Sequence, residues 1–503
     1  MIRVTALLLL AASTWAAEFN NGQAARLVIG QPSFSAQESG ISATTLIAAN
    51  GHLYATDARG RVLTFNLTKS PSASEHFSAQ QRSECAICGF VPEGTSAQQQ
   101  PITGSPAVAV HGNTVVVADP STHRVFIWRN TRASVDVGTP DVVLGQPGSS
   151  PASSSSATTL VDPISVAFDG KRLFIGDAAL RRVLIWNTLP ASSNDPADVV
   201  LGQSDFTTVN TTDSPGADTI GRPAALASDG ANLFVADSIG RRILVFTPGD
   251  ASLPKNAVVN AASLEPGPFA PGTLITISAS GLTVNSASAP DDGTQPLPTK
   301  LGGVEVVFDG VALPLLSVSP TQIRAQVPFE LGTRSAASMY VRSEHSDGTV
   351  RITTATAIKI VRANPGLFAF GGPEPRSGLI LHADPTSPAH GGMPVTSDNP
   401  AKPGEVVILW AAGLGRVGME APPATGVPFV GSDAHALTPV SAVVNGRSAQ
   451  VVSAGLPHGS IGIYEVRVLL PSNLAPDPKA QLLITQDNYV SNKITVPVQA
   501  ENR

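Results

Sequence analysis

One pattern occurs four times in the first half of the chain and restricts that half to a repeated β architecture. It is an apolar strand closed by Asp, a short turn, then Arg opening a second apolar strand closed by an aromatic residue. The strands ending in Asp read His-Leu-Tyr-Ala-Thr-Asp57, Thr-Val-Val-Val-Ala-Asp119, Arg-Leu-Phe-Ile-Gly-Asp177 and Asn-Leu-Phe-Val-Ala-Asp237. Their partners read Arg61-Val-Leu-Thr-Phe65, Arg124-Val-Phe-Ile-Trp128, Arg182-Val-Leu-Ile-Trp186 and Arg242-Ile-Leu-Val-Phe246. Successive Asp residues are 62, 58 and 60 positions apart, so the unit is about 60 residues long.

A further strand carries its own signature, Leu27-Val-Ile-Gly-Gln31, Val142-Val-Leu-Gly-Gln146 and Val199-Val-Leu-Gly-Gln203, with Cys85-Ala-Ile-Cys-Gly-Phe90 as a degenerate member. Each unit then holds four strands. The strand from Arg182 is apolar on both alternating faces, Val183 and Ile185 against Leu184 and Trp186, so both faces need cover. Neighbouring blades of a β-propeller supply it. One Leu-Gly-Gln-type strand precedes the first unit and none follows the last, so the N-terminal strand is expected to complete the final blade and remove its open edge.

Residues 233–246, Leu-Phe-Val-Ala-Asp followed by Arg-Ile-Leu-Val-Phe, are the clearest copy of a unit that resembles the NHL repeat of β-propellers, and the resemblance extends over about residues 26–247. It implies a propeller, here of about four blades. The spacing is longer than the usual NHL unit, with insertions such as the Ser-rich Gly148–Ala157 taking up the excess. The recurring residues Asp57, Arg61, Asp119, Arg124, Asp177, Arg182, Asp237 and Arg242 fall at strand ends beside tight turns, where a carboxylate caps turn amides and pairs with the guanidinium that follows. The expected role is structural. Acid–base catalysis requires differing environments at one asymmetric site rather than the same residue in every unit.

After Thr247-Pro-Gly-Asp250 a different grammar begins. Pro271-Gly-Thr-Leu-Ile-Thr-Ile-Ser-Ala-Ser-Gly281 returns as Pro403-Gly-Glu-Val-Val-Ile-Leu-Trp-Ala-Ala-Gly413, and Val306-Val-Phe-Asp-Gly310 as Val443-Val-Asn-Gly446. Asp-Gly and Asn-Gly are strong hairpin signals. Ile323-Arg-Ala-Gln-Val-Pro328 is echoed by Tyr464-Glu-Val-Arg-Val-Leu-Leu-Pro471, with alternating faces. These runs predict two sandwiches of short antiparallel strands. Val258-Val-Asn-Ala-Ala-Ser263, Leu301-Gly-Gly303, Ser319-Pro-Thr-Gln-Ile323, Gln326-Val-Pro-Phe329 and Ser491-Asn-Lys-Ile-Thr-Val496 resemble an uncharacterised C-terminal domain family of secreted bacterial proteins. That resemblance implies immunoglobulin-like modules and carries no activity. The expected organisation is a signal peptide over 1–17, an NHL-like propeller over 18–250, a linker over 251–256, immunoglobulin-like sandwiches over 257–364 and 365–499, and a tail over 500–503. The fold class is all-β.

Arg3, the apolar run Val4–Ala12 and Thr14-Trp-Ala16 form the three parts of an export signal, too short for a membrane span. Export to the envelope or the medium is expected, with no transmembrane segment after signal removal. Lys and Arg are spread evenly, without the basic face that binds nucleic acid, so that partner class is set aside. Cys85 and Cys88 form a Cys-Ala-Ile-Cys pair outside any thioredoxin-like context, which reads as a structural disulfide or two inert thiols.

The nine histidines show no zinc-binding spacing, and His458-Gly-Ser-Ile-Gly462 departs from a nucleophile elbow. No catalytic, cofactor-binding or metal-binding residue is expected. Calcium stays open through loops such as Asp291-Asp-Gly293. The sequence therefore points to an exported non-enzymatic binding or scaffold protein whose propeller loops engage an extracellular protein or glycan. The alternatives are a propeller enzyme of lyase or lactonase type with its site at a channel mouth, and a structural envelope protein.

Overall fold

The computed structural model describes residues 17–499 apart from 38–40, 58–61, 68–83, 88–105, 130–138, 146–153, 213, 279, 282, 284, 291–294, 384–391, 419–422 and 432–433. The expected signal segment lies outside the described residues, except for Ala17. The chain is all-β, and no helix occurs among the described residues.

The repeated pattern becomes four antiparallel sheets of four strands each. Sheet I contains Ala43–Ala49, His52–Asp57, Val62–Asn66 and Glu84–Ile87. Sheet II contains Ala107–His111, Thr114–Asp119, Arg124–Trp128 and Val142–Gly145. Sheet III contains Pro163–Phe168, Leu173–Asp177, Arg182–Trp186 and Val199–Leu201. Sheet IV contains Pro223–Ser228, Leu233–Asp237 and Arg242–Phe246, and its fourth strand comes from the N-terminal side of the chain. Leu27–Ile29 pairs antiparallel with Ile243–Val245. The double-sided apolar strands behave as their composition requires, with Arg182–Trp186 and Arg242–Phe246 buried at every position.

The first strands of the sheets pack side by side in the order II, III, IV, I. Two alternating positions make the contacts. Val166 and Leu226 face the preceding sheet and Leu46 faces sheet IV, all at 6–7% exposure, whereas Val108, at the same register in sheet II, is 57% exposed. The next position faces the other way: Ala167 and Ala227 are buried, whereas Ile47 of sheet I is 56% exposed. Three seams between the sheets are thus filled. Among the described residues, Ile47 and Val108 leave the two faces that would form a seam between sheets I and II exposed.

Residues 18–29 tie the repeat half to the chain that follows it. Glu18 pairs with Gly249, the Ala24 amide donates to Ala355 O at 3.0 Å, and Ser338 Oγ donates to Ala25 O at 2.6 Å. Phe19 packs edge-on against Phe174, and the Arg26 guanidinium lies 4.5 Å from the centre of the Tyr340 ring. One hydrophobic core accordingly combines Phe174, Leu226 and Leu244 with Val307, Tyr340 and Ile352.

Beyond residue 257, two five-stranded sheets contribute to one core. Leu274–Ser278 pairs with Gln322–Gln326, Val304–Phe308 pairs with Ala336–Glu344, and Ile277, Ile323, Phe308 and Met339 meet between them. The last part is a larger strand network around a separate core that includes Leu409, Val466, Val444 and Ile484. Here Val406–Ala412 pairs with Tyr464–Leu469, the counterpart of the pairing in the preceding part. Both expected hairpin turns have the left-handed backbone of a type I′ turn: φ is 48° and 79° at Asp309-Gly310, and 46° and 75° at Asn445-Gly446.

Candidate functional site

The recurring Asp and Arg stand directly opposite each other across adjacent strands at Asp119 and Arg124, Asp177 and Arg182, and Asp237 and Arg242. In sheet IV, Asp237 Oδ2 accepts from Arg242 Nε at 3.0 Å, and Oδ1 accepts from the amides of Gly221, Arg222 and Gly240, each at 3.1 Å. Arg242 spends its remaining donors on Phe34 O at 2.5 Å and Thr219 O at 2.8 Å. Sheet III repeats the scheme. Asp177 accepts from the Asp162 amide at 2.9 Å and from Arg182 at 3.4 Å, and Arg182 reaches Ser155 Oγ, Ser156 O and Thr159 O.

In sheet II, Asp119 caps the nearby Ser121 amide at 2.9 Å and accepts from the hydroxyls of Ser121 and Thr122, while Arg124 is half-buried. Asp57 closes its strand, and Arg61 lies outside the described residues. Cys85 falls in the strand Glu84–Ile87 and Cys88 outside the described residues, as do Asp291, Asp292 and Gly293.

The Leu-Gly-Gln signature has a geometric cause that the sequence alone conceals. Arg181, the residue before the recurring Arg182, adopts φ 51°, and its carbonyl would lie 2.8 Å from a Cβ placed on Gly202, itself at φ +86°. Only glycine combines that conformation with so close a backbone approach. Gln203 then holds the turn, its Nε2 donating to Leu180 O at 3.0 Å and its Oε1 accepting from the Asn210 amide at 2.8 Å. Gln31 donates likewise to Arg241 O at 3.3 Å, and Gln146 lies outside the described residues.

Those turns form one wall of a cleft of about 850 Å³, whose other walls are Asn20–Gln23, residues 252–258 and residues 354–359. Its size suits a small-molecule ligand, and it sits where two parts of the chain meet. The wall amides are held in place. Asn21 Oδ1 accepts from the Val200 amide at 2.9 Å, and Gln23 bridges the Asn20 amide and Thr247 O. Asp218 also lines the cleft. Burial pushes its carboxyl above the usual range, opposed by the nearby Arg242 guanidinium. Lys255 and Lys359 are exposed at the rim.

Asp218 was not among the residues singled out from sequence. One signal marks it: Gly216 and Thr219 make the same turn as Ser156 and Thr159, whose amide-to-hydroxyl bonds are 2.7 and 2.9 Å, and the residue before the Thr is Asp218 in one and Thr158 in the other. The carboxylate thus breaks the repeat. A smaller cavity of about 240 Å³ lies beside Asp237, whose oxygens are already engaged by the turn.

Among the described residues, no three His, Cys, Asp or Glu side chains gather as a metal-holding group. Nor is any helix there long and apolar enough to cross a membrane.

No family model matches the sequence, and no curated protein matches it. Solved structures give weak likenesses. The computationally designed Ika4 protein is 16% identical, over 43% of this chain and 96% of its own, with a TM-score of 0.18. An auxiliary nutrient binding protein from Bacteroides thetaiotaomicron is 14% identical, over 39% of this chain and 45% of its own, with a TM-score of 0.23. The Bacteroides ovatus mixed-linkage glucan utilization locus protein SGBP-B, solved with a mixed-linkage heptasaccharide, is 11% identical over 44% of each chain, with a TM-score of 0.12. Likenesses this distant carry no argument about the ligand.

Proposed function

We propose that this chain is an exported, non-enzymatic binding protein that engages an extracellular glycan where loops of its repeat half meet residues 252–258 and 354–359. In this reading residues 1–17 are a signal peptide, 18–250 an NHL-like β-propeller of four blades with the seam between its first two open, 251–256 a linker, and 257–364 and 365–499 immunoglobulin-like sandwiches that act as a spacer or attachment segment. The Asp and Arg pairs are turn structure, and binding belongs to the cleft. The observation that carries the reading is the cleft's polar lining, in which Asn21, Ser204, Asn210, Ser252 and Asn256 are exposed on walls that Gln23 and Gln203 hold in place, because hydroxyl-rich ligands are recognised by donors and acceptors on a preorganised surface.

The test is a thermal-shift screen of the full chain against envelope and plant-wall glycans, small lactones, and divalent ions with chelator controls. A ligand at about one hundred times its Kd stabilises the native state by about 2.7 kcal/mol, which a melting curve resolves. A shift with a glycan supports the reading, and a shift confined to lactones or metal ions overturns it. The enzyme alternative has one observation in its favour, the half-buried carboxyl of Asp218, which desolvation holds above the usual carboxylate range. It requires lactone turnover that is abolished in Asp218→Asn.

A further inference from the structure

We propose that the cleft selects oligosaccharides that carry carboxylate groups, an inference that rests on the binding reading above. The lining holds two cations, Lys255 and Lys359, both exposed and without an ion-pair partner among the described residues. The one acidic side chain lining it among those residues, Asp218, is close enough to Arg242 for the two charges to interact. Arg242 is itself paired with Asp237, so the lining sets two ammonium groups against the single carboxyl of Asp218, an excess of positive charge for a ligand to meet.

Phe269 is the aromatic residue of the lining and is buried at 3% exposure, so it offers no platform for stacking a sugar ring. Recognition then rests on hydrogen bonds and charge. Ammonium–carboxylate bonds are about twice as strong as neutral ones and sort acidic from neutral chains. The fixed amides of Asn21 and Gln203 keep that wall in place before a ligand arrives.

Calorimetric titration of the full chain with a galacturonic acid oligomer and with a cello-oligosaccharide of equal length tests the proposal. The acidic oligomer is expected to bind about tenfold more tightly or better, a difference that shrinks at about 0.5 M salt as the lysines are screened. The double variant Lys255→Met/Lys359→Met is expected to remove that preference at an unchanged melting temperature, since both side chains are exposed. Equal binding of the two oligomers, or an unaltered preference in the double variant, overturns the carboxylate selection while the glycan-binding reading stands. If neither oligomer binds, the carboxylate selection falls, and the glycan-binding reading is decided by the thermal-shift screen.

Discussion

Asp237 and Arg242 face each other across adjacent strands with Oδ2 and Nε 3.0 Å apart, each about 1% exposed. The pair lies in a fully satisfied network in which Asp237 gathers three turn amides and Arg242 reaches back to Phe34 O. Breaking a buried pair from one side leaves an uncompensated charge. Arg242→Met is expected to cost about 3–5 kcal/mol of unfolding free energy measured by urea titration, whereas Asp119→Ala, whose partners lie at the surface, should stay within about 1 kcal/mol. Equal losses would mean that the buried and exposed turns bear the same weight.

Asp309 gives a pH-dependent prediction. Its carboxyl is buried, Oδ2 has no hydrogen-bond partner, and Arg334 is 3.8 Å away, so burial raises the group to about 6. A carboxyl raised on folding favours the protonated native state. Its contribution is intact at low pH and lost as pH climbs from about 4 to about 6. Asp309→Asn keeps the left-handed turn and removes the charge, so it should be the more stable protein at pH 7 by up to about 3 kcal/mol, with the gap closing at pH 4. Unfolding curves at the two pH values check this, and a pH-independent difference would refute it.

The open faces of sheets I and II predict unequal tolerance of a charge at one repeat position. Val166→Asp buries a carboxylate and is expected to cost about 3 kcal/mol or more, whereas Val108→Asp, at the exposed counterpart, should change stability by less than about 1 kcal/mol. Similar losses at both sites would show that sheets I and II pack together in solution.

Phe19 fixes the segment that crosses between the two halves. It is buried against Phe174, with the Arg172 guanidinium 5.3 Å from the ring centre. Phe19→Ala is expected to lower stability by about 3–5 kcal/mol and to speed amide exchange at Ala24 and Ala25. Unchanged exchange there would detach Phe19 from the anchoring of that segment.

The relation of these residues to the sequence differs from case to case. The cross-strand register of Asp119 with Arg124, Asp177 with Arg182 and Asp237 with Arg242 follows from a strand-turn-strand repeat with a short turn, a local relation that a sequence displays. Asp309-Gly310 and Asn445-Gly446 were legible for the same local reason, since left-handed turns demand those residue types. The purpose of the Leu-Gly-Gln strand was not, because Gly202 and Arg181 meet only through tertiary packing. Asp218 escaped attention because its meaning lies in a cleft built from Asn20, Lys255 and Lys359, which are far apart in sequence. Nor did the pattern distinguish Val108 from Val166, whose strands alternate alike and differ only in what packs against them.

The bond from Ser338 Oγ to Ala25 O spans 313 positions, and the Ala24 amide waits similarly for Ala355. On a ribosome, residues 24–29 emerge before their partners, which do not exist until some 313 further residues have been made. Sheet IV can gain its edge strand during that interval, but the contacts that lock this strand to the later half come last. Products interrupted before residue 338 would therefore leave Ala24 and Ala25 without the cover of Tyr340 and Ala355, an unfinished apolar seam open to chaperones and proteases.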